Sequence, residues 1–174
     1  GWNFIWAGLA YIQYLLDYVM AGEAKTDAEH FAFAGSLPAH DAAVRAILDF
    51  APSGIVTGSL DNSVRLFGEA GELLAALKVD CWVLSLARLD GTRFVAGMRD
   101  GSCRVLACAD GSMVELWRCV GHTGPVGSLS IAGGVCVSGG WDETARVWDL
   151  EARGCVEVLG GPAKTAPALA LPRG

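Results

Sequence analysis

Basic residues and catalytic signatures are both scarce in this sequence of 174 residues. Lys and Arg total 13 against 19 Asp and Glu, which gives a net charge of −6. A chain without clustered cations has little with which to bind a phosphate backbone, so nucleic acid is not expected as a partner. No P-loop, GxGxxG, GxSxG or HExxH sequence occurs, and the recurring carboxylates do not form a facing pair. The sequence therefore predicts no enzyme, no catalytic residue and no cofactor.

Zinc and redox motifs are also missing, because none of the six cysteines forms a CxxC pair or joins a Cys/His cluster. They are Cys81, Cys103, Cys108, Cys119, Cys136 and Cys155. All but the first lie within or beside strand-like runs, where free cysteine behaves as a small hydrophobe. The pattern favours reduced thiols in a cytoplasmic or nuclear protein over a disulfide framework, and it predicts no metal site.

Residues 2–20 are long and apolar enough to raise the question of a membrane. Asp17 interrupts the run, and the absence of any Lys or Arg before Lys25 makes a secretory signal a poor fit. Apolar residues recur at spacings of three and four, which places them on one stripe of a helix: Trp2, Ile5, Leu9, Ile12, Leu16 and Val19. We expect residues 1–25 to form an amphipathic helix docked on protein. Membrane contact through residues 2–20 and a non-native extension are the alternatives.

One pattern of about forty residues occurs three times, in residues 39–67, 79–106 and 121–149. Two residue types mark it at separations of 39 and then 42: Asp61, Asp100 and Asp142, and likewise Arg65, Arg104 and Arg146. Such periodicity is typical of stacked structural repeats. The repeats are expected at about 39–78, 79–120 and 121–160, with the start of a fourth at 161–174.

Each repeat divides into short runs separated by turn residues. In the first repeat these runs are Val44–Phe50, Gly54–Ser59, Ser63–Phe67 and Glu72–Leu77. They are rich in Val, Leu and Ile, and Asp-Gly pairs at 90–91, 100–101 and 110–111 favour tight turns. The pattern predicts four antiparallel strands per repeat. Upstream, His30–Leu37 fits an outer strand, with a short helix capped by Thr26 and Glu29 as the alternative.

Gly121-His122 and Trp148-Asp149 in the third repeat resemble the signature of WD40 repeats. The resemblance implies a buried hydrogen-bond network of a His, a Ser or Thr, an Asp and a Trp in each blade. The third repeat offers all four: His122, Ser138, Asp142 and Trp148. The first offers His40, Thr57 and Asp61, and because Phe67 stands in place of Trp, its network is expected to end at Asp61.

The second repeat retains only Asp100 of these four residues, because Val79, Ala96 and Leu106 fill the other places. We therefore expect apolar packing alone to hold this blade and expect it to be the weakest. The resemblance implies an all-β fold over residues 26–174, namely a partial WD40 β-propeller of three blades plus parts of flanking blades, after the N-terminal helix. Propellers need roughly four to eight blades to close, so the remaining blades or a partner chain must cover the open blade edges.

Within the WD40 class, residues 30–174 resemble the N-terminal propeller of the phospholipase A-2-activating protein family, the ubiquitin-binding cofactors of the Cdc48/p97 ATPase. The resemblance is carried by His40-Asp41 followed by Val44-Arg45, by the stretches Val126–Ser130 and Ser138–Trp148, and by Leu171-Pro172. It implies a non-catalytic scaffold that binds ubiquitin and acts with Cdc48/p97 in protein turnover. The alternatives are a scaffold subunit of another complex, and a propeller tethered to a membrane through residues 2–20.

Partner binding is expected at the face where strand-connecting loops converge. The candidate residues are the three that stand immediately before the turn aspartates, Leu60, Arg99 and Trp141, together with Arg45 at the start of a first strand. Exposed aromatic residues and Arg are typical interface anchors. Packing of Trp141 against the next blade is the alternative role for that side chain.

Overall fold

The computed structural model describes Leu37, residues 40–50 and residues 54–160. Within these residues the chain forms twelve strands and no helix, and so no helix there could cross a membrane. The predicted all-β fold is confirmed. The predictions for residues 1–36 and 161–174, which include the possible membrane contact of residues 2–20 and the alternative helix capped by Thr26 and Glu29, fall outside the described part of the chain.

The twelve strands form three antiparallel sheets, each built from four consecutive strands in the order of the sequence. The first contains β1 (Val44–Asp49), β2 (Ile55–Ser59), β3 (Ser63–Phe67) and β4 (Leu73–Lys78). The second contains β5 (Val83–Arg88), β6 (Arg93–Met98), β7 (Ser102–Ala109) and β8 (Ser112–Val120). The third contains β9 (Val126–Ala132), β10 (Val135–Gly140), β11 (Thr144–Asp149) and β12 (Gly154–Gly160).

Asp-Gly turns close two of the hairpins in the second sheet. Gly101 between β6 and β7 has a φ of +85°, and Asp110 and Gly111 between β7 and β8 have φ values of +51° and +72°. Two successive positive φ values match the twist of the flanking strands. Gly101 is also required for space, because a Cβ there would lie 2.4 Å from the carbonyl oxygen of His122, which lies between β8 and β9.

Two separate apolar clusters join the three sheets. Alternate residues of a strand point to opposite faces, and in β6 Phe94 and Ala96 belong to the first cluster while Val95 belongs to the second. The first cluster lies between sheets one and two and includes Phe50, Val56, Val64, Leu66, Met98 and Leu106. The second lies between sheets two and three and includes Val105, Val126, Cys136 and Trp148. The second sheet is therefore buried on both faces.

The first strands of the sheets lie side by side, with β1 against β5 and β5 against β9. A close approach recurs at each junction. A Cβ on Gly58 would lie 2.5 Å from Cγ1 of Val83, and one on Gly97 would lie 2.8 Å from Cγ1 of Val126. Equivalent contacts between successive sheets are expected of blades arranged around one axis, with β1, β5 and β9 innermost.

One face of the third sheet packs against no other sheet of the described residues. Cys136 of β10 is buried toward the second sheet, whereas its neighbours Val135 and Val137 are 40% and 39% exposed. A central strand with exposed valines normally belongs to a sheet that packs against a further layer. This is the side on which a following blade would stack.

Candidate functional site

The third blade holds a continuous chain of buried hydrogen bonds. Nδ1 of His122 donates to Oδ1 of Asp142 over 2.9 Å, and its Nε2 accepts from Oγ of Ser138 over 2.7 Å. The indole N–H of Trp148 donates to the same Oγ over 2.7 Å. The structure thus brings together the four side chains that the sequence predicts for this network. Each buried polar side-chain atom of these four residues has a hydrogen-bond partner. The Ser, His and Asp of this network resemble a catalytic triad in order, but Ser138 is fully buried and its Oγ is bonded to both His122 and Trp148, so the network is structural.

The first blade has a shorter version of the same chain. Nδ1 of His40 donates to Oδ2 of Asp61 over 2.8 Å, and Nε2 lies 2.7 Å from Oγ1 of Thr57. Phe67 is buried, but its side chain has no N–H that could extend the row of hydrogen bonds. The network therefore ends at Thr57. The expectation that it ends at Asp61 is wrong, because His40 stands between Asp61 and Thr57.

Apolar packing alone does not hold the second blade, contrary to the expectation from its sequence. The side chain of Arg104 is only 2% exposed, and its guanidinium donates to Asp80, to Oδ2 of Asp100 over 2.8 Å and to Oε2 of Glu115 over 3.3 Å. Since Val79 stands where the other blades have histidine, a long side chain from β7 bonds to the turn aspartate instead. The periodic Arg of the repeat is thus a structural partner of Asp100.

Three possible metal ligands lie near this ion cluster. The ligand atoms of Asp80, Cys81 and Asp100 are within 4.8 Å of one another. Nη2 of Arg104 already bonds to both carboxylates, so the guanidinium supplies the positive charge that a metal ion would bring. The arrangement fits a charge cluster within the blade better than a metal site.

All six cysteines are free, and four of them are buried. Burial raises the pKa of Cys103 and Cys119 to about 12 and that of Cys108 and Cys136 to about 11. A thiol with such a pKa stays protonated and is a poor nucleophile. These residues act as small packing groups between the strands.

The three candidate loop residues occupy equivalent places in the structure. Each donates its backbone N–H to the carbonyl of the residue immediately before the first strand of its blade. The pairs are Leu60 to Ala43 at 3.0 Å, Arg99 to Trp82 at 3.0 Å and Trp141 to Pro125 at 2.8 Å. We call this surface the loop rim: the β2–β3, β6–β7 and β10–β11 turns with the residues that precede β1, β5 and β9. Arg45, the second residue of β1, is exposed beside it.

Trp141 is the most prominent aromatic residue of the loop rim, with 69% of its surface exposed. Its indole lies over Gly127 of its own blade, where a Cβ would stand 2.9 Å from Nε1. The absence of a side chain at Gly127 therefore lets the ring lie over the backbone while its other face meets solvent. Such a ring is a suitable anchor for a partner, and the binding role of the four candidate residues stays a prediction.

Sequence reasoning missed Trp82, which also belongs to the loop rim. It precedes β5, is 37% exposed, and lies under the guanidinium of Arg99, whose Cζ is 4.0 Å from the ring centroid. The equivalent residues of the other blades are Ala43 and Pro125, so no repeated motif marks this position. The only sequence signal was an aromatic residue in a loop, because few of the other loops contain one.

Acidification should destabilise the protein in two pH ranges. Burial lowers the pKa of His40 from 6.5, although its bond to Asp61 opposes this, so the unfolded chain takes up a proton that the folded chain resists. Burial alone would raise the pKa of Asp61 and Asp142, but their hydrogen bonds outweigh it and hold both below 3.8. The free energy of unfolding should therefore fall first as the pH drops below 6.5 and again below about 4.

Urea unfolding between pH 3 and 8 measures this dependence. In the variant His40→Gln the first decrease should disappear, while the second should remain. An unfolding free energy that rises as the pH is lowered from 6.5 to 5 would contradict the assignment of a lowered pKa to His40.

Comparisons with known proteins agree with this geometry. The WD domain, G-beta repeat family matches residues 32–68 and 113–149. An F-box/WD-40 repeat-containing protein of Arabidopsis thaliana is 33% identical over 138 residues, which is 71% of this chain and 25% of the relative. Protein DOA1 of Saccharomyces cerevisiae is 30% identical over 122 residues, which is 68% of this chain and 17% of the relative. The chain thus spans about a quarter or less of these relatives.

Solved structures show the same architecture. The WD40 β-propeller domain of Doa1 matches with a TM-score of 0.67 and 25% identity over 73% of this chain and 44% of that one. The computationally designed protein Ika4 matches with a TM-score of 0.64 and 26% identity over 73% of this chain and 78% of that one. The repeats, the networks and these matches agree: the chain carries repeats of the WD40 family, its described residues form three consecutive blades of a β-propeller, and these blades resemble those of the propeller in Doa1.

Proposed function

We propose that this chain is part of a ubiquitin-binding propeller that acts with Cdc48/p97 in ubiquitin-dependent protein turnover. The observation that carries the proposal is the similarity to Doa1, which extends over about two thirds of the chain in sequence and 73% in structure. WD40 propellers serve as protein-interaction scaffolds, and their partners are selected by loops and not by the fold. We also propose that it acts in the cytoplasm and the nucleus.

We propose the loop rim as the surface that binds ubiquitin. It presents the indole of Trp141 at 69% exposure in the third blade, Arg99 in the second blade, and Arg45 and Leu60 in the first. Aromatic residues and Arg dominate the binding energy of protein interfaces because they combine a large apolar area with directed donors. Ubiquitin would therefore bind across the loops of neighbouring blades and not along the outer strands.

Titration of isotope-labelled ubiquitin with the full-length protein tests this proposal by NMR. The wild-type protein should shift a contiguous set of ubiquitin signals. Trp141→Ala should weaken the binding about tenfold or more, since a central aromatic anchor is worth about 2 kcal/mol. Leu116→Ala is the matched control, because Leu116 is 47% exposed on β8, away from the loop rim. No shift at millimolar concentrations would reject ubiquitin binding.

A scaffold role in a different complex is the second candidate function. The Arabidopsis F-box/WD-40 protein is 33% identical to this chain, against 30% for DOA1. Affinity purification of the full-length protein separates the two proposals. Recovery of a defined complex that lacks both ubiquitin and Cdc48/p97 would favour the second.

A further inference from the structure

The second blade differs from its neighbours in what it places on the loop rim. The equivalent pairs are Leu60 over Ala43 and Trp141 beside Pro125 in the first and third blades, and both are apolar. In the second blade a cation lies over an aromatic ring. The Cζ atom of Arg99 is 4.0 Å from the ring centroid of Trp82, and the backbone N–H of Arg99 donates to the carbonyl of Trp82 over 3.0 Å.

The guanidinium of Arg99 has no carboxylate partner within the described residues, although acidic side chains are close in sequence. Oδ2 of Asp100 accepts from Arg104, and its Oδ1 accepts from the N–H and the hydroxyl of Ser102. Asp80 is likewise bonded to Arg104. These carboxylates are already bonded to other groups, and Arg99 itself is exposed, so its N–H donors are available to a partner.

An Arg held against an indole is well prepared to bind a planar anion. The stacking interaction restrains the side chain before binding, so less conformational entropy is lost when its N–H groups form two parallel bonds to a carboxylate. A phosphate dianion fits less well, because Asp80 is 65% exposed and Asp100 is 39% exposed nearby, and each would repel the second negative charge. The local chemistry favours a single negative charge on a flat group.

We propose that Arg99, held on Trp82, is a specificity-determining residue of the loop rim that binds an Asp or Glu carboxylate of a protein partner. The same partner segment would place an apolar side chain against Trp141 in the neighbouring blade. The inference rests on the proposed use of the loop rim for protein binding, but it does not require the partner to be ubiquitin. It assigns to the rim a positive contact point in a chain whose net charge is −6.

Selection from a phage-displayed library of random twelve-residue peptides tests the proposal on the full-length protein. Peptides selected by the wild type should carry Asp or Glu at one recurrent position, and the enrichment should disappear with Arg99→Gln. Arg153→Gln is the matched control, because Arg153 also lies over an indole, that of Trp117 at 5.6 Å, but in the β11–β12 turn. Gln keeps the backbone bond of residue 99, and unchanged melting temperatures will show that both variants fold.

A selected peptide then gives a quantitative test by titration. Exchange of its Glu for Gln should weaken binding to the wild type about tenfold and should have little further effect on Arg99→Gln, because both changes remove the same contact. Equal losses with both proteins, absence of an acidic position, recovery of no peptide, or tighter binding of a phosphoserine version would each overturn the proposal. Ubiquitin titration of the same variants is scored separately, so failure of ubiquitin binding with a retained acidic preference rejects only the proposed function.

Discussion

Replacing Asp142 with alanine is expected to lower the free energy of unfolding by about 3 kcal/mol. The carboxylate accepts from Nδ1 of His122, from the backbone N–H of Thr123, and from both the N–H and the hydroxyl of Thr144. The side chain is 8% exposed and that of His122 is fully buried, so water cannot replace all of these bonds. Each buried donor left without an acceptor costs about 1–3 kcal/mol.

Asp149→Ala in the same blade is the matched control. Its Oδ1 accepts from the N–H groups of Glu151 and Ala152, but in an exposed turn, where water can bond to the freed donors. Its loss should cost less than about 1 kcal/mol. Urea unfolding of the two variants measures the difference, and equal effects would show that the His122 network is not buried as described.

Replacing Arg104 with methionine should destabilise the protein by about 2–3 kcal/mol. Methionine keeps much of the packing of the aliphatic stem but removes the charge that holds Asp80, Asp100 and Glu115 together. Breaking a fully buried ion pair costs about 3–5 kcal/mol. The expected cost here is smaller, because Asp80 and Asp100 are partly exposed and water can stabilise them once the guanidinium is gone.

Arg93→Met provides the control for this second effect. Arg93 pairs with Asp90 at 2.7 Å, but both side chains are more than a third exposed, and such pairs contribute about 0–1 kcal/mol. Thermal or urea unfolding compares the two variants. A melting temperature for Arg104→Met equal to that of Arg93→Met would restore the earlier view that apolar packing alone holds the second blade.

The repeat pattern was enough to predict the sheets. The four runs proposed for the first repeat each agree with β1 to β4 to within one residue at either end. This agreement arises because alternation, β-branched residues and turn dipeptides are local signals that tertiary contacts reinforce in every blade. The His122 network could be proposed from the resemblance to WD40 repeats, since its four residues lie at the positions that this resemblance marks in the third repeat.

The second blade shows why the rest could not be predicted. The second blade lacks the histidine, which suggested that it lacks a polar network. The flexible side chain of Arg104 on β7 bonds to Asp100 instead, whereas in the other blades a histidine before the first strand bonds to the turn aspartate. Spacing in the sequence does not show where so long a side chain will point. Trp82 was missed for a related reason, because its role depends on the stacking of Arg99 and on exposure, and neither follows from a motif.

Methyl NOE spectroscopy tests the radial stacking of the blades most directly. The account predicts two equivalent contacts between successive blades, from the α protons of Gly58 to the methyl groups of Val83 and from those of Gly97 to the methyl groups of Val126. These pairs are distant in sequence, and each joins the second strand of one blade to the innermost strand of the next, as stacking of successive blades requires. Observation of both contacts would support the propeller arrangement. Their absence in a folded sample, with NOEs confined to strands of the same sheet, would contradict it.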